Sequence, residues 1–179
     1  MKSKHIVIGV TGSIAAYKAA ELTSRLKQKG ADVFVVMTEN ATKLIGPATF
    51  RALTGNPVVC KMFAEEDLYH SIPHVNLADW MDVLAIVPAT ANIIGKIAHG
   101  IADDALSTLA ISTDKPIVIA PAMNNKMWEQ KVVQENSNIL SKRCCHIIEP
   151  ETGFLACGYT GKGRLADLDT IIKKIDKLL

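Results

Sequence analysis

Short β-branched apolar runs alternate with stretches of helical periodicity along this chain, and that alternation limits its fold more than any other feature. His5 to Val10 is the first run. It meets Thr11-Gly12-Ser13, and Ala15 to Lys29 follows with Ala16, Ala19, Ala20, Leu22 and Leu26 at helical spacing and Gly30 as its stop. Val33 to Met37 reads as a second strand, followed by Thr38-Glu39-Asn40 and a helix around Ala41 to Ile45. Pro47 to Leu53 reads as helix and Pro57 to Cys60 as a short extended piece; residues 61 to 79 are the least regular. Val83 to Val87, Ile117 to Ala120 and His146 to Ile148 are strand-like. Ala91 to Ala98, Asp104 to Ser112, Met127 to Ser141 and Asp167 to Leu179 are helix-like, while Glu151 to Leu165 reads as a loop with four glycines. Strands this apolar have no face to give to water. They require a parallel sheet covered on both sides, and right-handed crossovers make it a single doubly wound α/β domain, Rossmann-like or flavodoxin-like, over residues 1–179.

Composition narrows the partners. Twenty Lys and Arg against eighteen Asp and Glu leave +2, which gives nucleic acid no electrostatic foothold. No apolar run nears the roughly eighteen residues of a membrane span, and Met1-Lys2-Ser3-Lys4-His5 leads into a strand without a signal-cleavage site. The expectation is a cytoplasmic protein with neither a membrane nor a nucleic-acid partner. Cys60, Cys144, Cys145 and Cys157 form no CxxC pair, so zinc-site and thioredoxin spacings are absent and no metal is expected. In a reducing compartment they stay thiols.

A doubly wound sheet binds ligands beyond the carboxyl ends of its strands. Five stretches fall there: Thr11-Gly12-Ser13, Thr38-Glu39-Asn40, Pro88-Ala89-Thr90-Ala91-Asn92, Pro121-Ala122-Met123-Asn124 and the late glycine loop with Cys157. Gly12 lets backbone approach a ligand, and Ser13 suits a helix start whose amides face an anion; an ordinary capped turn is the alternative. Glu39 stands where a dinucleotide fold places an acid for a ribose, but the first turn is not GxGxxG, and Thr38 suits a flavin phosphate or ribityl chain equally well. By residue type alone His74 is structural or solvated, and Asn124 reads first as a helix cap. Cys157, between Ala156 and Gly158, is the cysteine placed to be exposed, with catalysis one of two readings.

Pro121-Ala122-Met123-Asn124-Asn125-Lys126-Met127-Trp128 matches the PxMNxxMW motif of the homo-oligomeric flavin-containing cysteine decarboxylases, which the chain resembles over essentially its whole length. Pro88-Ala89-Thr90-Ala91-Asn92 is similar to that family's PASANT segment, with Thr90 for its Ser and Ile93 for its final Thr. Ala156-Cys157-Gly158, followed by Gly161-Lys162-Gly163-Arg164, resembles its substrate-clamping flap. Two departures stand out: Tyr159 where many relatives have Asp, and Leu165 where they have Met.

The resemblance implies FMN as cofactor, contacted by Gly12, Ser13, Ile14, Thr38, Ala89, Ala91, Asn92 and Ala122. It implies catalytic roles for His74 as base and Cys157 as proton donor. Met123 and Asn124 would meet the substrate, Asn124 at its carboxylate; Lys162 and Arg164 would meet its phosphate unless they are solvated flap charges. The implied substrate is an N-acylated cysteine with a free carboxylate and a distant phosphate, an intermediate of coenzyme A synthesis. Decarboxylation of a peptide's C-terminal cysteine, as in lantibiotic maturation, and a non-catalytic flavin-binding regulatory subunit are the alternatives. A flavin prenyltransferase shares the fold class but lacks the PxMN segment and the cysteine flap. The family further implies a homotrimer or a larger trimer-based assembly.

Overall fold

The computed structural model describes residues 1–62, 73–143 and 145–179. His70, Cys144 and the irregular stretch at 63–72 lie outside the described residues, as do the side chains of Pro73 and His74. Strands β1 (His5–Val10), β2 (Asp32–Met37), β3 (Val58–Val59), β4 (Val83–Ala89), β5 (Ile117–Pro121) and β6 (Cys145–Ile147) form one sheet. All of its pairings are parallel, in the order β3-β2-β1-β4-β5-β6, so the chain runs outward from β1 in one direction and then, from β4, in the other. The doubly wound expectation holds, and the switch point between β1 and β4 is where such sheets open a crevice.

The helices are α1 (Ala16–Gln28), α2 (Glu39–Thr42), α3 (Pro47–Thr54), α4 (Pro73–Trp80), α5 (Ala91–His99), α6 (Ala105–Ser112), α7 (Asn125–Trp128), α8 (Lys131–Lys142) and α9 (Leu168–Leu178). Strand side chains alternate between two cores. Ile6, Ile8 and Val10 of β1 join Val83, Ala85 and Val87 of β4 beneath α1, α3 and α9. Val7, Leu84, Ile86 and Ile119 point the other way, under α4, α5, α6 and α8. Every residue of β4 is buried, which explains why its sequence carries no polar alternation. In α9, Leu168, Ile171, Ile172 and Ile175 recur at helical spacing and are the buried residues, while Asp167 caps the helix by accepting from the Asp169 amide at 2.8 Å. Each fully buried Ile or Leu contributes about 1.5–3 kcal/mol.

Four stretches differ from the sequence expectation, the first being 73–79, read as part of the irregular stretch, which belongs to α4 (Pro73–Trp80). Residues 151–165 are not a loop but an antiparallel hairpin, β7 (Glu151–Phe154) and β8 (Thr160–Arg164). The glycines that suggested a loop mark a close approach instead. Met123 N–H donates to the Gly163 carbonyl at 2.9 Å, and a Cβ on Gly163 would collide with the Met123 carbonyl oxygen. The helix expected over Met127 to Ser141 is two helices, broken where Gln130 takes extended backbone (ψ 131°). The break leaves Trp128 buried, and the Gln134 side-chain amide donates to its carbonyl at 2.5 Å. Finally, α2 starts at Glu39, where Thr38 caps it from the strand end, and ends at Thr42, short of Ile45.

Candidate active site

The rim loops are tied to one another before any ligand is considered. Thr11 Oγ1 donates to the Pro88 carbonyl at 2.7 Å and accepts from the Thr90 amide at 3.0 Å, bridging the ends of β1 and β4. The Ala122 amide donates to the Ala89 carbonyl at 3.0 Å, which adds the end of β5. The Met123–Gly163 bond then seats the hairpin. Gly12 packs on Asn40, where a Cβ would lie 2.7 Å from the Asn40 Cβ, so the first and second loops touch as well. All five rim stretches thus converge.

A cavity of about 570 Å³ opens among them. Gly12, Ser13, Ile14, Ala122, Met123, Asn124, Cys157 and Arg164 line it. Ser13 does not cap α1: its hydroxyl accepts from the Ala15 amide at 3.4 Å, and Ala15 is the residue that precedes the helix. Thr38, Ala89, Ala91, Asn92 and Lys162 stand off the wall. The Thr38 hydroxyl accepts from the Ala41 amide at 3.4 Å, Ala89 is buried in β4, and the Lys162 ammonium lies 2.7 Å from a Glu149 carboxylate oxygen. Ala91 and Asn92 open α5, so their amides have no intrahelical acceptor, while Thr90 on the cavity wall caps that helix through the Ile93 amide. Glu39 is an exposed partner of Lys43 at 3.4 Å. His74 lies in the first turn of α4; its side chain is outside the described residues.

Sequence reasoning missed Tyr17, Lys18 and Phe154, which also line the cavity. Ile14 and Tyr17 are 64% and 63% exposed, and Phe154 is 71% exposed. The signal was available at the start of α1, where Ile14 in the preceding turn and Tyr17 and Lys18 in the helix are spaced away from the buried Ala16–Ala19–Leu22 stripe. Lys18 and Arg164 are the only charged residues among the described lining, and no carboxylate joins them. The cavity therefore favours an anionic, partly apolar ligand.

Asn124 is the helix cap its sequence context allowed, and it also lines the cavity. Its Oδ1 accepts from the Lys126 amide at 2.8 Å and so caps α7. With the oxygen committed there, Nδ2 faces the hairpin, 2.7 Å from the Tyr159 hydroxyl and 3.4 Å from Cys157 Sγ. Cys157 is an exposed free thiol, Cys60 is half-buried and Cys145 is buried. The hydrogen bond to Cys157 is the largest influence on Tyr159 and holds its phenol above the ordinary range, with the Asn124 amide acting in the opposite sense. An oriented amide beside a thiol and a phenol can bind a carboxylate and deliver a proton to the atom next to it.

The whole chain, residues 1–179, matches the Flavoprotein family. It is 44% identical over 177 residues to the coenzyme A biosynthesis bifunctional protein CoaBC of Bacillus subtilis (strain 168), covering 99% of this chain and 43% of that one. The chain thus spans about two fifths of the length of these bifunctional relatives. It is 43% identical over 179 residues to the probable phosphopantothenoylcysteine decarboxylase of Streptococcus mutans serotype c, covering 99% of each. Among solved structures, the FMN-dependent cysteine decarboxylase SpaF is similar with a TM-score of 0.85 at 34% identity, over 98% of this chain and 97% of that one. A Cys-to-Ser mutant of PPC decarboxylase complexed with pantothenoylaminoethenethiol gives a TM-score of 0.86 at 26% identity, over 98% of each chain.

Proposed function

The chain belongs to the Flavoprotein family, and on that premise we propose that it catalyses the FMN-dependent decarboxylation of phosphopantothenoylcysteine to phosphopantetheine in coenzyme A synthesis. The observation that carries this reading is the Asn124 amide, turned by its own cap bond toward Cys157 at a cavity with no carboxylate among its described lining residues. The full-length likeness to the Streptococcus mutans decarboxylase supports it.

The residues present fit FMN. The walls are largely apolar, Gly12 brings bare backbone to the rim, and Lys18 and Arg164 supply positive charge, which suits a flat ring system with a phosphate tail. Gly12, Ser13, Ile14 and Ala122 would hold it from the wall, with the free amides of Ala91 and Asn92 close behind Thr90. Thr38 and Ala89 would act from behind the wall, by fixing the loops. When bound, FMN supplies a reversible two-electron acceptor, taking hydride from the sulfur-bearing carbon and giving it back after carbon dioxide has left.

An N-acylated cysteine needs that detour. Its amine is blocked, so the carbanion left by direct loss of carbon dioxide has no acceptor until the neighbouring carbon becomes a thioaldehyde. Within this scheme the Asn124 amide hydrogen that faces Cys157 holds the carboxylate and Met123 packs beside it, fixing the bond that breaks. His74 accepts the thiol proton during oxidation. Cys157 protonates the carbon that loses carbon dioxide. Arg164 meets the distant phosphate; Lys162 joins it only on leaving Glu149.

In this reading residues 1–179 are one decarboxylase domain working in the cytoplasm, as a homotrimer or trimer-based assembly. Exposed Ile14, Tyr17 and Phe154 around the cavity support the assembly, because a second copy would cover them. No described helix is long and apolar enough to cross a membrane. The likeness to SpaF favours a second reading, decarboxylation of a peptidyl cysteine. Competing the two substrates in one assay separates them. The primary test is the visible spectrum of the purified protein and its turnover of phosphopantothenoylcysteine: bound flavin with release of carbon dioxide is expected, and protein that stays colourless and inert with excess FMN overturns the proposal.

A further inference from the structure

We infer that Tyr159 is a positioning residue for the proton transfer by Cys157, its phenol, the thiol and the Asn124 amide acting as one hydrogen-bonded unit. The inference rests on the function proposed above. Tyr159 and Cys157 sit on the tip of the hairpin, where the Leu155 amide donates to the Tyr159 carbonyl at 2.9 Å and the Gly158 amide donates to the Leu155 carbonyl at 3.0 Å. These main-chain bonds close the turn that carries both side chains. Asn124 reaches the same point from α7, with its amide oriented by the Lys126 bond and one hydrogen given to the phenol oxygen at 2.7 Å. The same amide nitrogen lies 3.4 Å from Cys157 Sγ, so phenol and thiol meet at one donor and the phenol O–H is left to turn to the sulfur.

The geometry has a consequence for one step only. When Cys157 acts as acid, its S–H bond breaks and a C–H bond forms at the carbon that lost carbon dioxide. The electron pair for the new bond comes from the ene-thiolate of the substrate, which becomes a thioaldehyde, and Cys157 is left as thiolate. The hydride that bound FMN would supply converts the thioaldehyde to the product thiolate, and protons from water restore both sulfurs. A phenol O–H donated to a thiolate is charge-assisted and about twice as strong as the bond it makes to a neutral thiol. Tyr159 therefore favours the state that follows proton transfer over the state before it, which accelerates that step. Oxidation and loss of carbon dioxide leave Cys157 as a thiol and gain nothing from the phenol.

The test is product partition in the flavin-loaded enzyme, read by mass spectrometry as saturated thiol against the decarboxylated product lacking two hydrogens. In Tyr159→Phe the oxidised share is expected to rise about tenfold. Tyr159→Leu gives the same result, since the hydroxyl is what is lost. In a Cys157→Ser background Tyr159→Phe changes the partition no further, whereas a merely structural role would add its effect to that of Cys157→Ser. A wild-type partition in either single variant, or additive effects in the double variant, overturns the inference. Wild-type enzyme that releases no carbon dioxide overturns the proposed function instead, so the two failures are distinct.

Discussion

At Asn124 one side chain serves the fold and, in the proposed function, the chemistry as well. Its oxygen caps α7 and its nitrogen addresses the hairpin. Asn124→Asp keeps an oxygen for the cap but turns a carboxylate toward the substrate's own. The expected result is kcat/KM lower by about a hundredfold or more, carried mainly by KM, with thermal stability close to wild type; steady-state kinetics and a melting curve check both halves. At Tyr159 the direction of the phenol shift gives a second prediction. Because the bond to Cys157 is its largest cause, Cys157→Ala should let the phenol titrate at lower pH, as followed by NMR of ring-labelled tyrosine. Residue-scale chemistry was only half legible in the sequence. Asn124 and Cys157 stood in recognisable motifs, but Tyr159 meets Asn124 across 35 residues, a relation no local pattern encodes.

The strands were legible because complete burial leaves a plain apolar signature, as in β4. The hairpin was not, since its glycines answer to a neighbouring backbone rather than to strand propensity. Gly163→Ala would push β8 off Met123 and is expected to cost most of the activity while the far-ultraviolet circular dichroism of the sheet and helices persists. The start of α6 carries the clearest pH dependence. Asp104 caps it through the Ser107 amide at 2.8 Å and pairs with Lys96 at 2.7 Å; Lys96 also meets Asp103 at 2.6 Å. Burial pushes the Asp104 carboxyl up, but the bonds from Lys96 and Ser107 outweigh it and hold the carboxyl below its usual value. A depressed carboxyl stabilises the fold above its unfolded pKa, and that contribution disappears as pH falls through the folded value. Asp104→Ala should cost about 1 kcal/mol near neutral pH, and urea midpoints of the two proteins should converge below about pH 4.

The molecule as a whole divides at the sheet into two separate cores. The cavity is built by the loops at one end of that sheet, with exposed Ile14, Tyr17 and Phe154 beside it. Phe154→Ser is expected to shift the sedimentation profile toward smaller species and to release flavin in parallel, if copies of the chain cover this rim. Sedimentation velocity with absorbance at the flavin band reads both at once. Composition could not signal the proposed assembly, because exposed apolar residues distinguish an interface only once their positions in space are known. At the joint between hairpin and sheet, main-chain atoms do the holding: an amide of residue 123 meets a carbonyl of residue 163. Recognition written in backbone is indifferent to the identity of the residues on the hairpin's outward face. Under the proposed function, substitutions there can retune which cysteine conjugate is accepted without disturbing the register of the hairpin, so selectivity and the seating of the hairpin are free to evolve independently.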